Sequence, residues 1–276
     1  MTRTRLLAVT LLAAMAAAGA GIALARQSRE VDTTLHSVAL GGRMHALVVL
    51  PAGYRDGTKR YPVLYFLHGL PASSTAYEEH RWLERALDQV GPAILVEPQG
   101  ARGGDTDPEY LNWGRGRDWA TFVASELPSY VDSHFRTIRS RRGRALIGLS
   151  AGGYGATMLA FNHLGEYSVV ESWSGYFHPT NPSGTQAIAG PPGSNVHRLI
   201  GSLRADEKRR PTFFAFYVGR GDTLFRAENE QFNQELSAAG VPHVFRLYSG
   251  GHQTALWEAH AAAWLKLALA HLATPR

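Results

Sequence analysis

Short apolar runs alternate along this chain with longer amphipathic stretches. Uninterrupted runs such as 62–67 and 213–218 are typical of strands that are buried on both faces of a sheet. The stretch 73–90, with Leu83 and Leu87 four residues apart, favours a helix with one apolar face. The alternation predicts an α/β fold with a mostly parallel sheet that is covered by helices on both faces.

Two more strand-like runs, 37–40 and 44–50, come first along the chain. Gly41-Gly42 joins them, and a two-residue connection of this kind favours a β-hairpin, so we expect antiparallel strands at one edge of the sheet. Further strands are predicted at 93–96, 144–149, 167–173 and 243–248, and further helices at 119–135, 153–161, 224–238 and 254–272. Pro128 falls inside the first of these helices and should kink it or divide it in two.

One long stretch interrupts the alternation. Residues 177–210 contain four prolines and several glycines and lie between two predicted strands. A segment of this length forms either a cap or wall over a site at the sheet edge, or a solvent-exposed loop with a short helix. Since neither an internal repeat nor a second domain is evident, one domain is expected over 35–276.

The N-terminal 25 residues have the pattern of a targeting segment. Arg3 and Arg5 precede an uncharged stretch rich in Ala and Leu, which ends at residue 25 in an A-x-A cleavage motif. The stretch at 6–25 is also long enough to span a bilayer, so an uncleaved anchor is the alternative to a signal peptide. Both predict an extracytoplasmic protein, with a polar linker at 26–34 and membrane contact only through an uncleaved anchor.

Composition narrows the classes of partner and cofactor. The formal net charge of +5 includes two N-terminal arginines, and no dense basic run is interleaved with aromatic residues, so nucleic acid is not an expected partner. The chain has no cysteine, which removes thiol nucleophiles and thiolate metal sites. No histidine pair has the H-E-x-x-H spacing, so neither a metal nor another cofactor is predicted.

The strongest chemical signal is the pentapeptide Gly148-Leu149-Ser150-Ala151-Gly152. An apolar strand precedes it, and small and then apolar residues typical of a helix follow it. A G-x-S-x-G motif in this setting presents a nucleophilic serine on a tight turn, where the glycines avoid a Cβ clash. The alternative is a small-residue turn with an incidental serine; the strand and helix around the motif favour the nucleophile.

A nucleophilic serine needs a base and an acid that holds the base, and in this setting the acid and then the histidine follow it in sequence. The predicted acid is Asp222, which comes just after an apolar strand; capping the next helix is the alternative role. Glu228 is the rival acid, but its neighbours Glu230 and Glu235 indicate a solvated helix face.

The predicted base is His252, in a glycine-rich loop between the last strand and the last helix. His260, eight residues later, is interpreted as a helix packing or surface residue. The backbone N–H groups of Ala151 and Leu70 are the predicted oxyanion donors, because they follow the nucleophile and the third strand. His68, which precedes the turn at Gly69, is interpreted as structural.

Five stretches of the chain resemble an esterase family of α/β-hydrolases. They are YPVLYFLHG at 61–69, SELP at 125–128, RALIGLSAGGYGA at 144–156, GRGD at 219–222 and SGGH at 249–252. The family contains S-formylglutathione hydrolase, feruloyl and siderophore esterases, and the antigen 85 mycolyltransferases. The resemblance implies the α/β-hydrolase fold, with Ser150, Asp222 and His252 as catalytic triad and Leu70 and Ala151 as oxyanion hole.

The chain departs from the mycolyltransferase branch at several positions. Those enzymes have Asp where this chain has His68, Met-Ala where it has Ala151-Gly152, a glutamate as the acid, and a cysteine pair. The resemblance is therefore closer to the hydrolases, although S-formylglutathione hydrolase is cytosolic and a leader is predicted for this chain. By resemblance Trp113 is predicted to contact substrate, with core packing as the alternative, and Tyr154 is also predicted to bind substrate.

These observations predict a secreted serine carboxylester hydrolase that acts on a small-molecule or envelope-linked ester. The alternatives are a cell-envelope acyltransferase with the same triad and, from another class, a non-catalytic binding protein on the same scaffold. Asp105, Asp107 and Glu109 do not have the spacing of a calcium loop and are interpreted as a solvated loop.

Overall fold

An eight-stranded sheet organises the computed structural model, which describes residues 29–105 and 108–276. The leader expected at 1–25 and the first residues of the expected linker lie outside this range. The strands are β1 Glu30–Ser37, β2 Gly42–Val49, β3 Val63–Leu67, β4 Ile94–Pro98, β5 Arg144–Leu149, β6 Val169–Trp173, β7 Phe213–Gly219 and β8 Val244–Tyr248.

The sheet has the strand order β1-β2-β4-β3-β5-β6-β7-β8. Strands β3 to β8 pair in parallel, while β2 is antiparallel to both β1 and β4. The predicted mostly parallel sheet with an antiparallel N-terminal edge is therefore confirmed. Because the central strands are parallel, their carboxyl ends meet at one edge, where open α/β sheets bind ligands.

The first strand lies earlier in the chain than predicted. β1 begins at Glu30, inside the expected linker, and Val38 is 81% exposed in the turn that follows the strand. The carboxylate of Glu126 holds this turn by accepting the N–H groups of Val38 and Ala39, both at 3.0 Å. Residues 38–40 of the predicted strand therefore lie in a turn that is held by a residue distant in sequence, which local hydrophobicity does not reveal.

Helices cover both faces of the sheet. They are α1 Arg81–Asp88, α2 (consecutive segments Trp119–Thr121, Phe122–Glu126 and Leu127–His134), α3 Ala151–Asn162, α4 Ile200–Arg209, α5 Arg226–Ala238 and α6 Thr254–Ala270. Apolar residues of α1 and α6 pack on one face, and those of α2, α3, α4 and α5 on the other. Pro128 does not divide α2; the helix continues through it, and a π-helical turn at Phe122–Glu126 lies just before it.

The segment 177–210 runs as a loop to residue 195 and ends in a short turn, Val196–Leu199, and helix α4. It is fastened to α3 by the hydroxyl of Tyr154, which donates to the Ser194 carbonyl at 2.8 Å. Within residues 29–105 and 108–276, no helix combines the length and the apolar character that crossing a membrane requires.

Candidate active site

The serine of the G-x-S-x-G motif lies on a sharp turn at the carboxyl end of β5. Ser150 has φ 52° and ψ −121°, a backbone conformation that is strained for a residue with a side chain. Its N–H donates to the Trp173 carbonyl of β6 at 2.9 Å. A Cβ on Gly152 would collide with the Leu67 carbonyl, and one on Gly148 with the Gly152 carbonyl. The two motif glycines therefore let strand, turn and helix pack in contact, as the motif predicts.

This packing gives a direct test of the turn. Gly152→Ala should lower the free energy of unfolding by about 1–3 kcal/mol, because the new methyl group meets backbone atoms that cannot move aside independently. Gly201→Ala in α4 is the matched control, since no atom lies within 4 Å of the added Cβ. Thermal unfolding of both variants is the measurement; equal melting temperatures would contradict the close packing of the turn.

Three side chains meet at this turn in a continuous hydrogen-bonded chain. The Ser150 hydroxyl lies 2.9 Å from His252 Nε2, and His252 Nδ1 lies 2.8 Å from Asp222 Oδ2. The other carboxylate oxygen, Asp222 Oδ1, accepts the N–H groups of Leu224 and Phe225, both at 3.0 Å. Asp222 thus holds the imidazole with one carboxylate oxygen and caps the following turn with the other. The two roles considered for it, acid and cap, are therefore compatible.

The environment keeps Asp222 ionised. Its side chain has no exposed surface, and burial alone would raise the pKa of the carboxyl group. The hydrogen bond to His252, the electrostatic attraction between the two groups and the two backbone N–H donors outweigh burial, so that the pKa of Asp222 is lowered. A buried carboxylate of this kind fixes the proton of a neutral His252 on Nδ1 and leaves Nε2 free to accept the serine proton.

Two aromatic rings that the sequence did not single out hold His252 from its sides. The rings of Phe225 and Trp257 lie edge-on to the imidazole, with centroids 5.1 Å and 5.2 Å away. Trp257 Nε1 donates to the hydroxyl of Ser174, which follows β6 and has φ 50°. Their position a few residues after Asp222 and His252 is the sequence signal that could have identified Phe225 and Trp257. That signal is weak in a chain that is 10% aromatic.

The loop after β3 lies against the serine turn. Leu67 pairs with Gly148 in the sheet, and a Cβ on Gly69 would stand 3.0 Å from Ser150 Cβ. The backbone of Leu70, one residue later, is therefore carried to the same end of the sheet as Ala151. Ala151 is the first residue of α3, where backbone N–H groups lack partners within the helix.

His68 has the structural setting that the sequence predicted. It is 3% exposed, its Nδ1 lies 2.9 Å from the Gly69 carbonyl oxygen, and Tyr110 donates its hydroxyl proton to the His68 carbonyl. Burial lowers the pKa of His68 to about 4, so the imidazole is neutral near pH 7 and donates from Nδ1. His260 stacks on Tyr248 with ring centroids 3.6 Å apart, which confirms its interpretation as a packing residue.

Residues 37–266 match the protein family described as "Putative esterase". This chain belongs to that esterase family. Esterase Rv1288 of Mycobacterium tuberculosis is 28% identical over 244 residues, which are 78% of this chain and 53% of that protein. The chain thus spans about half the length of the curated relatives it matches first. The diacylglycerol acyltransferase/mycolyltransferase Ag85A of Mycobacterium leprae is 30% identical over 148 residues, 49% of this chain and 42% of that protein.

Solved structures of esterases share the architecture. A ferulic acid esterase superposes with a TM-score of 0.71 at 26% identity and covers 87% of this chain and 97% of its own. The Staphylococcus aureus fluorophosphonate-binding serine hydrolase FphF gives a TM-score of 0.72 at 21% identity over 86% of this chain and 98% of its own, which bears on the fold alone. The expected α/β-hydrolase fold is therefore confirmed for this member of the esterase family.

Tyr154 lies inside the protein, and its contact with substrate stays a prediction. This side chain has no exposed surface; it stacks on Tyr176 and donates to the Ser194 carbonyl, so it supports the segment above it. Trp113 is partly buried, donates from Nε1 to the Pro108 carbonyl, and lines a cavity of about 310 Å³ with residues that include Arg117 and Ile188. Its contact with substrate stays a prediction.

Two acidic residues that the sequence assigned to solvent are instead buried or half-buried. Glu109 is 2% exposed, and its carboxylate accepts hydrogen bonds from the Tyr176 hydroxyl and from the backbone and hydroxyl of Thr180. Burial raises the pKa of Glu109 despite these donors. Asp105 pairs with Arg102, and Asp107 lies outside the described residues. The solvated-loop interpretation is therefore wrong for Glu109.

Glu228 is the second corrected residue. Its side chain is 14% exposed; it accepts the Phe177 N–H at 2.8 Å and lies 3.2 Å from His197 Nε2. The structure thus joins Glu228 to the segment 177–210, whereas the bond to His252 is made by Asp222. Within the described part of the chain, no group of three or more His, Asp or Glu side chains has the arrangement of a metal site.

Proposed function

We propose that this chain is an extracytoplasmic serine carboxylester hydrolase and that Ser150, His252 and Asp222 are its catalytic triad. The observation that carries the proposal is the continuous chain of hydrogen bonds from the Ser150 hydroxyl through His252 to Asp222, at 2.9 Å and 2.8 Å. Membership of the esterase family supports the same chemistry. The proposal of export rests on the pattern of the N-terminal 25 residues.

The geometry supports a two-step mechanism through an acyl-enzyme. His252 Nε2 takes the hydroxyl proton as Ser150 Oγ attacks the ester carbonyl carbon, and Asp222 stabilises the imidazolium that forms. The N–H groups of Leu70 and Ala151 donate to the oxyanion. The tetrahedral intermediate then expels the alcohol, which leaves with the proton from His252. Water, deprotonated by His252, attacks the acyl-enzyme and releases the acid and the free Ser150 hydroxyl.

Acyl transfer is the second candidate, because part of the chain resembles the acyltransferase/mycolyltransferase Ag85A. Chemically the two functions differ only in whether water or a sugar hydroxyl attacks the acyl-enzyme. The acid favours hydrolysis: His252 bonds to Asp222 in the loop after β7, whereas the mycolyltransferase branch uses a glutamate. The substrate class proposed is therefore a small-molecule or envelope-linked carboxylic ester with water as the acceptor.

Product partition tests this choice. The enzyme should turn over p-nitrophenyl esters and, with trehalose present in excess, release mostly free acid, because the proposed acceptor is water. The measurement is mass spectrometry of the acid and of the acylated sugar, with the Ser150→Ala variant as the blank. Predominant formation of acylated trehalose would reject hydrolysis in favour of transfer, and no product of either kind would reject both.

A further inference from the structure

A group of half-buried titratable residues lies outside the Ser150, His252 and Asp222 constellation. His197, in the turn Val196–Leu199, stands between two carboxylates of helix α5. Its Nε2 is 3.2 Å from Glu228 Oε1, and its Nδ1 is hydrogen-bonded to Glu235 Oε2. An imidazole can donate to a carboxylate from both nitrogens only when it carries both protons, so this geometry selects the imidazolium.

Two carboxylates and two phenylalanine rings surround His197, and a second histidine faces one of the carboxylates. Glu228 and Glu235 face it from α5, and His178, whose Nε2 lies 3.4 Å from the same Glu228 oxygen, faces that carboxylate from the loop after β6. The rings of Phe177 and Phe232 lie edge-on to the imidazole. Burial lowers the pKa of His197, but the two carboxylates outweigh burial and the pKa is raised above its ordinary value.

The same carboxylate connects this group to the wall of the proposed active site. Glu228 accepts a hydrogen bond from the backbone N–H of Phe177, the first residue of the segment 177–210. The preceding residue, Tyr176, packs on Phe225 with ring centroids 4.8 Å apart, and Phe225 lies 5.1 Å from His252. Tyr176, at the start of the segment, therefore contacts Phe225 at the beginning of α5, and Phe225 in turn lies beside the proposed base, His252.

We propose that the Glu235–His197–Glu228 bridge fastens the segment 177–210 to α5 as a wall of the substrate site and loosens as the pH rises. His197 is a positioning residue in this account, because it acts through the segment and not on the reacting atoms. Loss of one proton leaves the imidazole a single donor, so one of the two carboxylates loses its hydrogen bond to His197. The kinetic part of the inference rests on the proposed ester hydrolysis; the bridge itself does not.

The direction in which stability changes with pH follows from the raised pKa of His197. A histidine whose pKa is higher in the folded than in the unfolded chain stabilises the fold fully below the unfolded value of about 6.5. That contribution disappears as the pH rises through the folded-state pKa. His197→Gln should therefore reduce the melting temperature most below the unfolded pKa of about 6.5, and the difference from the wild type should shrink as the pH rises above it.

The stability test needs no enzymatic activity. His260→Gln is the control, because His260 stacks on Tyr248 and burial lowers its pKa, so its difference from the wild type should not shrink as the pH rises. If His197→Gln does not fold, Glu235→Gln replaces it, and the pH at which stability declines should then move downward. A difference that stays constant or grows with pH for His197→Gln, or an unmoved decline for Glu235→Gln, would overturn the bridge.

The kinetic test compares p-nitrophenyl acetate with p-nitrophenyl decanoate. If the segment 177–210 is the wall for the acyl chain, His197→Gln should raise KM for the long ester by roughly tenfold. KM for the acetate and both kcat values should stay near wild type, because the acetyl group is too short to use that wall. An equal change for both esters, or no change for either, would overturn the assignment of a wall. Failure of the proposed function would appear differently, as a wild-type protein with no ester turnover and an intact pH dependence of stability.

Discussion

Replacing Ser150 with alanine should lower kcat for ester hydrolysis by about 10⁴-fold or more, because the nucleophile and its proton transfer to His252 are lost together. The fold should persist, since the hydroxyl makes one described hydrogen bond, to His252, and a hydrogen bond contributes about 0.5–1.5 kcal/mol net. Single-turnover and steady-state kinetics on a p-nitrophenyl ester measure the loss, and the melting temperature checks the fold.

The outcome separates a catalytic serine from a structural one. A variant that keeps wild-type turnover would reject Ser150 as the nucleophile. A variant that loses turnover together with its folded state would instead assign the serine to the strained turn, where φ is 52°.

Replacing Asp222 with asparagine should lower kcat near neutral pH by about 10⁴-fold, the size of effect seen when this substitution reverses the imidazole tautomer in a serine protease. Asp222 Oδ1 accepts two backbone N–H groups, so an asparagine would keep its oxygen there and turn its NH₂ toward His252 Nδ1. Nδ1 must then accept, which places the imidazole proton on Nε2 against the Ser150 hydroxyl. The base is blocked while the geometry is retained.

Two glutamates of α5 serve as controls for this prediction. Glu230→Gln should leave turnover unchanged, because Glu230 forms a surface pair with Arg226, and such pairs contribute about 0–1 kcal/mol. Glu228→Gln should affect stability more than kcat, since Glu228 holds Phe177 and His197. If Glu228→Gln abolished turnover and Asp222→Asn did not, the acid would be a helix glutamate as in the mycolyltransferases, and acyl transfer would become the better proposal.

The parts of this protein that local sequence determines could be predicted. The turn at Ser150 needs glycines on both sides, and the strand before it and the helix after it have distinct apolar patterns, so the whole unit was recognisable. Asp222 and His252 each follow a strand of a parallel sheet, and topology brings such positions to one edge. The order of the residues along the chain and their positions at strand ends were therefore sufficient to predict that the three side chains meet.

The errors arise where a distant segment decides the environment. Glu228 looks like part of a solvated helix face until the segment 177–210 packs over it and supplies His197. Glu109 is in a loop with two other acids, yet Thr180 and Tyr176 enclose it. The turn at Val38 is likewise fixed by Glu126, far away in sequence. Periodicity reports the character of an element's own face but not which partner covers that face.

Labelling with a fluorophosphonate probe tests the central claim most directly, because such probes react with a serine hydroxyl that an adjacent base has activated. The folded wild-type protein should acquire one adduct, located by peptide mass spectrometry on Ser150, and neither heat-denatured protein nor the Ser150→Ala variant should acquire it. A folded wild-type protein that stays unlabelled, or an adduct that persists in Ser150→Ala, would contradict the assignment of Ser150, His252 and Asp222 as a catalytic triad.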